Sequence, residues 1–198
     1  MKLVSIDIET TGLNPSVDKI LSIGCVICDT TNKNDYKFLE IRNFCNIDNL
    51  IISDVVKNMN KELLDDLNYL NSNNNYLNKR DFYLAKNYYV ESDIAQTLKE
   101  FFEKNGIDPK RVNVCGKNFA TFDKLFLERL PNFKEIIRFR QRIIDPAILY
   151  VDWENDESLP DLQTCIERSN LEELNGKIVQ HTALDDAIVT LKLVLNKI

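Results

Sequence analysis

Apolar and polar positions along the chain change period several times, and each change predicts an element. Lys2–Ile8 is a short apolar run that passes into the alternation Ile6-Asp7-Ile8-Glu9, predicting a buried strand that ends in acidic residues. Thr10-Thr11-Gly12 and Asn14-Pro15 then mark a loop. Ile20–Cys28 and Lys37–Ile41 predict two more strands, and the polar turn Thr30–Asp35 between them makes a hairpin. One helix is expected over Ser53–Leu67, followed by a long surface loop, residues 68–90, where Asn71, Asn73, Asn74 and Asn75 cluster.

Ile94, Leu98, Phe101 and Phe102 recur at helical spacing, with Ser92 as a candidate N-cap and Gly106 as a stop. Arg111–Cys115 reads as a strand, Asp123–Arg129 as a helix and Gln141–Ile144 as a last short strand. Asp145-Pro146 has the form of an N-cap followed by a first helical residue. Two further helices are expected, near Leu159–Arg168 and Ala183–Asn196. A hairpin followed by alternating helices and strands implies an α/β fold, a mixed sheet flanked by helices, and 198 residues suit a single domain over residues 1–198.

Composition narrows the class. Charged residues are 28% and hydrophobic residues 44%, ordinary for a globular chain. No apolar run approaches the roughly 18 residues of a membrane span. The N-terminus reaches Asp7 too early for a signal peptide, so an intracellular, cytoplasmic protein is expected. Five cysteines without a secretion signal are read as free thiols. Cys25 and Cys28 have C-x-x-C spacing, but on a strand they point to opposite faces, so buried structural thiols are expected rather than a zinc site. The net charge of −6 argues against tight coating of long duplexes, where affinity rests on many phosphate contacts. Lys134, Arg138, Arg140 and Arg142 form a local basic run that suits either phosphate contact or a charged, solvated strand edge.

Three signals carry chemistry. Asp7 and Glu9, two apart on a strand, project to one face, where side-by-side carboxylates repel unless hard divalent cations such as Mg²⁺ or Mn²⁺ hold them. Asp123 opens a helix in Asn118-Phe119-Ala120-Thr121-Phe122-Asp123. His181, the one histidine, precedes Thr182 and Asp185, which have capping-box-like spacing, and Asp186 then lies beside the apolar face of Leu184, Ala187, Ile188 and Leu191.

The order Asp-x-Glu, Asp, His-x-x-x-x-Asp resembles the three motifs of the DEDDh family of 3′→5′ exonucleases. D-I-E-T-T-G-L is similar to the first motif, N-F-A-T-F-D to the second and H-T-A-L-D-D-A to the third. The second departs from the commonest spelling, with Lys117-Asn118 where many relatives read His-Asn, and one additional residue before Phe122-Asp123. The resemblance implies a ribonuclease H-like fold and two Mg²⁺ or Mn²⁺ ions. It implies that Asp7 bridges them, Glu9 and Asp186 complete one site, Asp123 holds the other and His181 takes a proton from the attacking water. It further implies single-stranded DNA or RNA 3′ ends as substrate and nucleoside 5′-monophosphates as product. Thr10, Thr11 and Leu13 would meet the terminal nucleotide, and Asn118 and Phe119 its sugar or base, with simple packing the other reading of Phe119. Two rival readings are a haloacid-dehalogenase-type phosphohydrolase, on Asp7-Ile8-Glu9-Thr10 and Asp185-Asp186, and a nuclease-derived binding module that has lost catalysis.

Overall fold

The computed structural model describes residues 1–72, 83, 85–174 and 182–198. His181 and most of the asparagine-rich stretch therefore lie outside the described residues. The centre is a five-stranded mixed sheet in the order β4-β3-β2-β1-β5. β1 (Lys2–Thr10), β2 (Ile20–Asp29) and β3 (Asn32–Phe44) form an antiparallel meander, β4 (Tyr88–Val90) runs parallel to β3, and β5 (Val114–Cys115) runs parallel to β1. This is the α/β arrangement expected from the sequence, with β3 longer and its turn shorter than predicted.

Strand alternation sorts the core into two faces. Val4, Ile6 and Ile8 of β1, with Ile23, Cys25 and Ile27 of β2, pack against Ile94, Leu98 and Phe102 of α3 (Glu91–Lys104). Leu3, Val26 and Cys28 face the other way, against Ala187, Leu191 and Val194 of the last helix, α8 (Ala183–Lys197). Cys25 and Cys28 thus lie on opposite faces as expected, and all five cysteines are buried free thiols. By the same parity Asp7 and Glu9 share the face of Leu3 and look toward α8.

Between β3 and β4 the expected single helix is two, α1 (Asp54–Met59) and α2 (Lys61–Ser72), broken at Asn60. Their apolar faces are out of phase. α2 buries Leu64, Leu67 and Leu70 beside Tyr88, whereas no residue of α1 is buried. Buried Asp66 ties this unit to the sheet, accepting from Lys86 at 2.8 Å and from Arg42 of β3 at 3.4 Å. β4 lies inside the segment expected to be loop. α3 starts after Val90 rather than at Ser92, which falls in its first turn, and ends before Gly106 at φ 68°.

Beyond β5 the chain forms the short helices α4 (Asp123–Leu127), α5 (Phe133–Ile136) and α6 (Pro146–Tyr150). The predicted strand Gln141–Ile144 is reduced to one isolated bridge, at Ile144, and a second bridge, at Phe139, lies before it. α6 is capped by Asp145 as expected, and α7 (Leu162–Ser169) is capped by Asp161. Among the described residues no helix is long and apolar enough to cross a membrane.

Candidate functional site

Three elements converge at the C-terminal end of β1. β1 supplies Asp7 and Glu9. The register places Asp7 opposite Gly24 of β2, and this glycine matters for the third partner. A Cβ at Gly24 would come within 2.2 Å of the Ala183 carbonyl oxygen and 2.4 Å of the Leu184 Cα, so the first turn of α8 lies directly on β2 only because position 24 has no side chain. Thr182 caps that turn, accepting from the Asp185 amide at 3.2 Å, as the capping-box spacing predicts. Asp186, one residue further on, is thereby delivered to the strand carboxylates. One oxygen from each of Asp7, Glu9 and Asp186 lies within 4.8 Å of the others.

Asp123 arrives from a different direction. Asn118 adopts a left-handed conformation (φ 57°), its amide donates to Asp145 at 2.8 Å, and its carbonyl accepts from the amides of Thr121 and Phe122. This turn aims the start of α4 at the sheet, where Asp123, only 3% exposed, accepts from the backbone N–H of Ile8 at 3.1 Å. All four predicted carboxylates line one cavity of about 670 Å³, together with Met59, Lys117, Asn118, Phe122, Asp161 and Gln163.

The electrostatics follow from this crowding. Burial is the main cause of a rise in the Asp7 pKa well above the ordinary carboxylate value, and Asp123, Asp186 and Glu9 raise it further. Burial also pushes Glu9 up to about 7; a hydrogen bond from Asn60 opposes the shift, and Asp186 and Asp123 add to it. Asp123 is likewise pushed up to about 7 by burial, against the pull of its own amide and that of Ile8, with Asp145 adding to the rise. A set of oxygen donors too close together to ionise without help fits hard divalent cations. Asp7, Glu9 and Asp186 meet the distance requirement for a shared ion, and Asp123 faces the same space.

A second cavity, about 600 Å³, opens beside the first and shares Ile8, Glu9, Met59 and Phe122 with it. Thr10, Thr11 and Leu13 line it, with Val55, Val56 and Asn60 on the other side. Its loop is braced by Asp18, which accepts from the Thr11 hydroxyl at 3.2 Å and the Asn14 amide at 2.8 Å. Leu13 is 82% exposed at the rim, while Thr10 and Thr11 are buried. Asn118 is exposed on the first cavity. Of the two readings of Phe119, packing is the one the structure bears out. This residue is 0% exposed and stacks edge-on against Phe139 at 5.0 Å, so its side chain belongs to the core and cannot meet a base. Asn60, 5% exposed and bonded to Glu9, and Gly24 were not singled out from the sequence. A glycine inside a strand was the available signal for Gly24; Asn60 had none, because its partner is 51 positions away.

Comparison with known proteins agrees with this geometry. Residues 4–194 match the family model described as RNase_T, Exonuclease. No curated protein sequence matches the chain closely enough to count as a relative. Among solved structures, E. coli exonuclease I in complex with a dT13 oligonucleotide is similar at a TM-score of 0.58 and 15% identity, over 98% of this chain and 40% of that one. A full-length 3′-exonuclease is similar at 0.64 and 13%, over 98% and 80%. Exonuclease I from Methylocaldum szegediense is similar at 0.59 and 15%, over 98% and 40%. The chain thus spans about two fifths of the exonuclease I structures it matches, and at these identities the likeness is one of fold, the ribonuclease H-like exonuclease fold.

Proposed function

The chain belongs to the RNase_T exonuclease family, and from that premise we propose that it forms a single domain that removes nucleotides stepwise from the 3′ end of single-stranded nucleic acid, releasing nucleoside 5′-monophosphates. The family match sets the dehalogenase-type reading aside and makes the protein a nuclease. The observation that carries the finer reading is the meeting of Asp7, Glu9, Asp123 and Asp186, from three separate elements, around one open cavity. No carboxylate expected from the motifs is missing there, which speaks against a module without catalysis. A single strand also suits the neighbouring cavity, whose exposed rim residues Leu13, Val55 and Met59 offer apolar surface to an unstacked base.

Family members depend on divalent metal. Asp7, Glu9, Asp123 and Asp186 would hold two Mg²⁺ or Mn²⁺ ions, which when bound stabilise the attacking and leaving oxygens of an in-line displacement at phosphorus. The chain's own residues do the rest. Leu13 meets the terminal nucleotide at the rim, Thr10 and Thr11 shape the loop beneath it through their bonds to the Gly12 carbonyl and Asp18, and Asn118 borders the reacting phosphate. By resemblance His181 accepts the proton of the attacking water as the bond from phosphorus to the 3′ oxygen breaks, a role for which an imidazole, with an unperturbed pKa near 6.5, is suited.

The experiment is digestion of a 5′-labelled single strand. A descending ladder is expected with Mg²⁺ or Mn²⁺, none with chelator, and none when the 3′ end is blocked. Cleavage of closed single-stranded circles would refute the polarity. His181→Ala is expected to bind Mn²⁺ almost as the parent does while single-turnover rates fall by on the order of 10²–10⁴-fold. Near-parent turnover would remove the histidine from the mechanism.

A further inference from the structure

The sheet edge beyond β5 is strongly basic in an otherwise acidic protein of net charge −6. Residues 137–144 run beside β5 and the residues that lead into it, with a bulge at Gln141. Arg138 and Arg140 are joined to the strand through Val112, whose N–H donates to the Arg138 carbonyl at 3.1 Å and whose carbonyl accepts from Arg140 at 2.8 Å. Ile144 donates to the Val114 carbonyl at 3.2 Å and accepts from Gly116 at 3.0 Å. Ile137 and Phe139 turn into the core, so the alternating Arg138 and Arg140 are held outward. The chain bends at Gln141 and presents Arg142, also exposed.

Arg111 lies on the same face, its carbonyl accepting from Arg140 Nε at 3.3 Å, and exposed Lys110 is anchored to the carbonyl of Glu135. Exposed Lys134 flanks the group. Elsewhere many of the cations are paired: Arg42 with Glu62, Lys86 with Asp66, Arg168 with Asp156 and Lys192 with Glu173. On this edge none of the six cations pairs with a carboxylate among the described residues. The neighbouring acids are Asp108, which accepts from the Lys110 amide at 2.9 Å, and Glu135.

The row leads to the site. Past Ile144 the chain reaches Asp145, which accepts from the amide of Asn118 on the wall of the catalytic cavity. The bridges Val112–Phe139 and Cys115–Ile144 match five residues of this segment to three of the strand, so it bulges and covers roughly 10 Å along the sheet edge. We propose that Arg138, Arg140 and Arg142, with Arg111 beside them, form a track for the phosphates of a single strand upstream of the nucleotide in the cavity. The track rests on the nuclease reading of that cavity. It gives the protein grip on long strands that a dinucleotide, confined to the cavity, cannot use.

Binding of a fluorescein-labelled oligothymidylate of about 20 nucleotides, followed by anisotropy in chelator so that nothing is cut, tests the track apart from catalysis. Each phosphate contact on a single strand contributes about 0.7 to the slope of log affinity against log salt, so Arg138→Gln/Arg140→Gln/Arg142→Gln should lower the slope by about 2. The parent should then lose about twentyfold more affinity than the variant between 50 and 200 mM salt. The matching triple lysine variant, which keeps the charge, should keep the parent slope. With Mg²⁺, KM for the long strand should rise in the glutamine variant while dinucleotide hydrolysis stays at the parent rate. An unchanged salt slope and unchanged long-strand KM would overturn the track and leave the cations as guards of a sheet edge. A parent that binds the strand with a steep slope yet hydrolyses neither substrate would instead refute the nuclease reading while the binding data still support the track.

Discussion

Gly24 shows how one missing side chain places a charged one. Asp7 stands opposite it in the register, and the first turn of α8 occupies the volume a Cβ would need. Gly24→Ala is therefore expected to displace that turn and carry Asp186 away from Asp7 and Glu9. Overpacking of this kind costs about 1–3 kcal/mol, so the melting temperature should fall, and Mn²⁺ affinity measured by calorimetry should fall with it. Lower stability with parent metal affinity would show that Asp186 does not depend on this contact. Three of the acids were legible from the residues, because a period of two puts Asp7 and Glu9 on one face and the Thr182 cap fixes the first turn that holds Asp186, whereas Asp123 stood out only through the motif resemblance. Phe119 was left open between base contact and packing. An aromatic residue beside a motif looks the same in sequence whether it meets a base or fills the core, and only its contact with Phe139 decides.

Among the elements, the corner between α1 and α2 joins the second cavity to the carboxylate cluster. Asn60 closes α1 through its amide to the Val56 carbonyl and opens α2 by accepting from the Leu64 amide, while its side chain holds Glu9. Groups that orient metal-binding carboxylates typically contribute 10–100-fold to metal affinity or activity. Asn60→Ala is expected to lower kcat by about that factor and to weaken Mn²⁺ binding, and Asn60→Gln, whose amide sits one methylene further out, should restore little. If kcat holds and only thermal stability drops, Asn60 is a helix corner and nothing more. The sequence predicted one helix here because Val55, Met59 and the leucines of α2 look continuous along the chain. What separates them is that α2 packs on the sheet while α1 leans over the second cavity. β4 was missed for a related cause: three residues at the edge of β3 have too little pattern to outweigh the polar tract before them.

For the molecule as a whole, the acidic site couples stability to pH and metal. In an unfolded chain Glu9 and Asp123 release their protons near 4.5 and 3.8, whereas in the folded protein both are pushed up to about 7. Between those values the folded form binds more protons, so metal-free stability falls as pH rises through that window; below it both states are protonated and the contribution is fully present. Asp7, raised in the same direction, steepens the loss. Divalent ions bind the ionised form and reverse it, adding about 2.7 kcal/mol at a hundredfold excess over Kd. In chelator the melting temperature should therefore be lower at pH 8 than at pH 5.5, and Mn²⁺ should raise it more at pH 8. Acids with lowered pKa, such as Asp156 at about 2 beside Arg168, lose their contribution only in more acidic solution and do not compete in this window. Glu9→Gln and Asp123→Asn remove the titrating groups while keeping their shape, so each should flatten the pH dependence and stabilise the metal-free protein at pH 8. A melting temperature in chelator that stays level from pH 5.5 to 8, with equal Mn²⁺ shifts at both ends, would mean that Asp7, Glu9 and Asp123 ionise as ordinary surface acids and that their meeting in one cavity stores no charge for a metal to relieve.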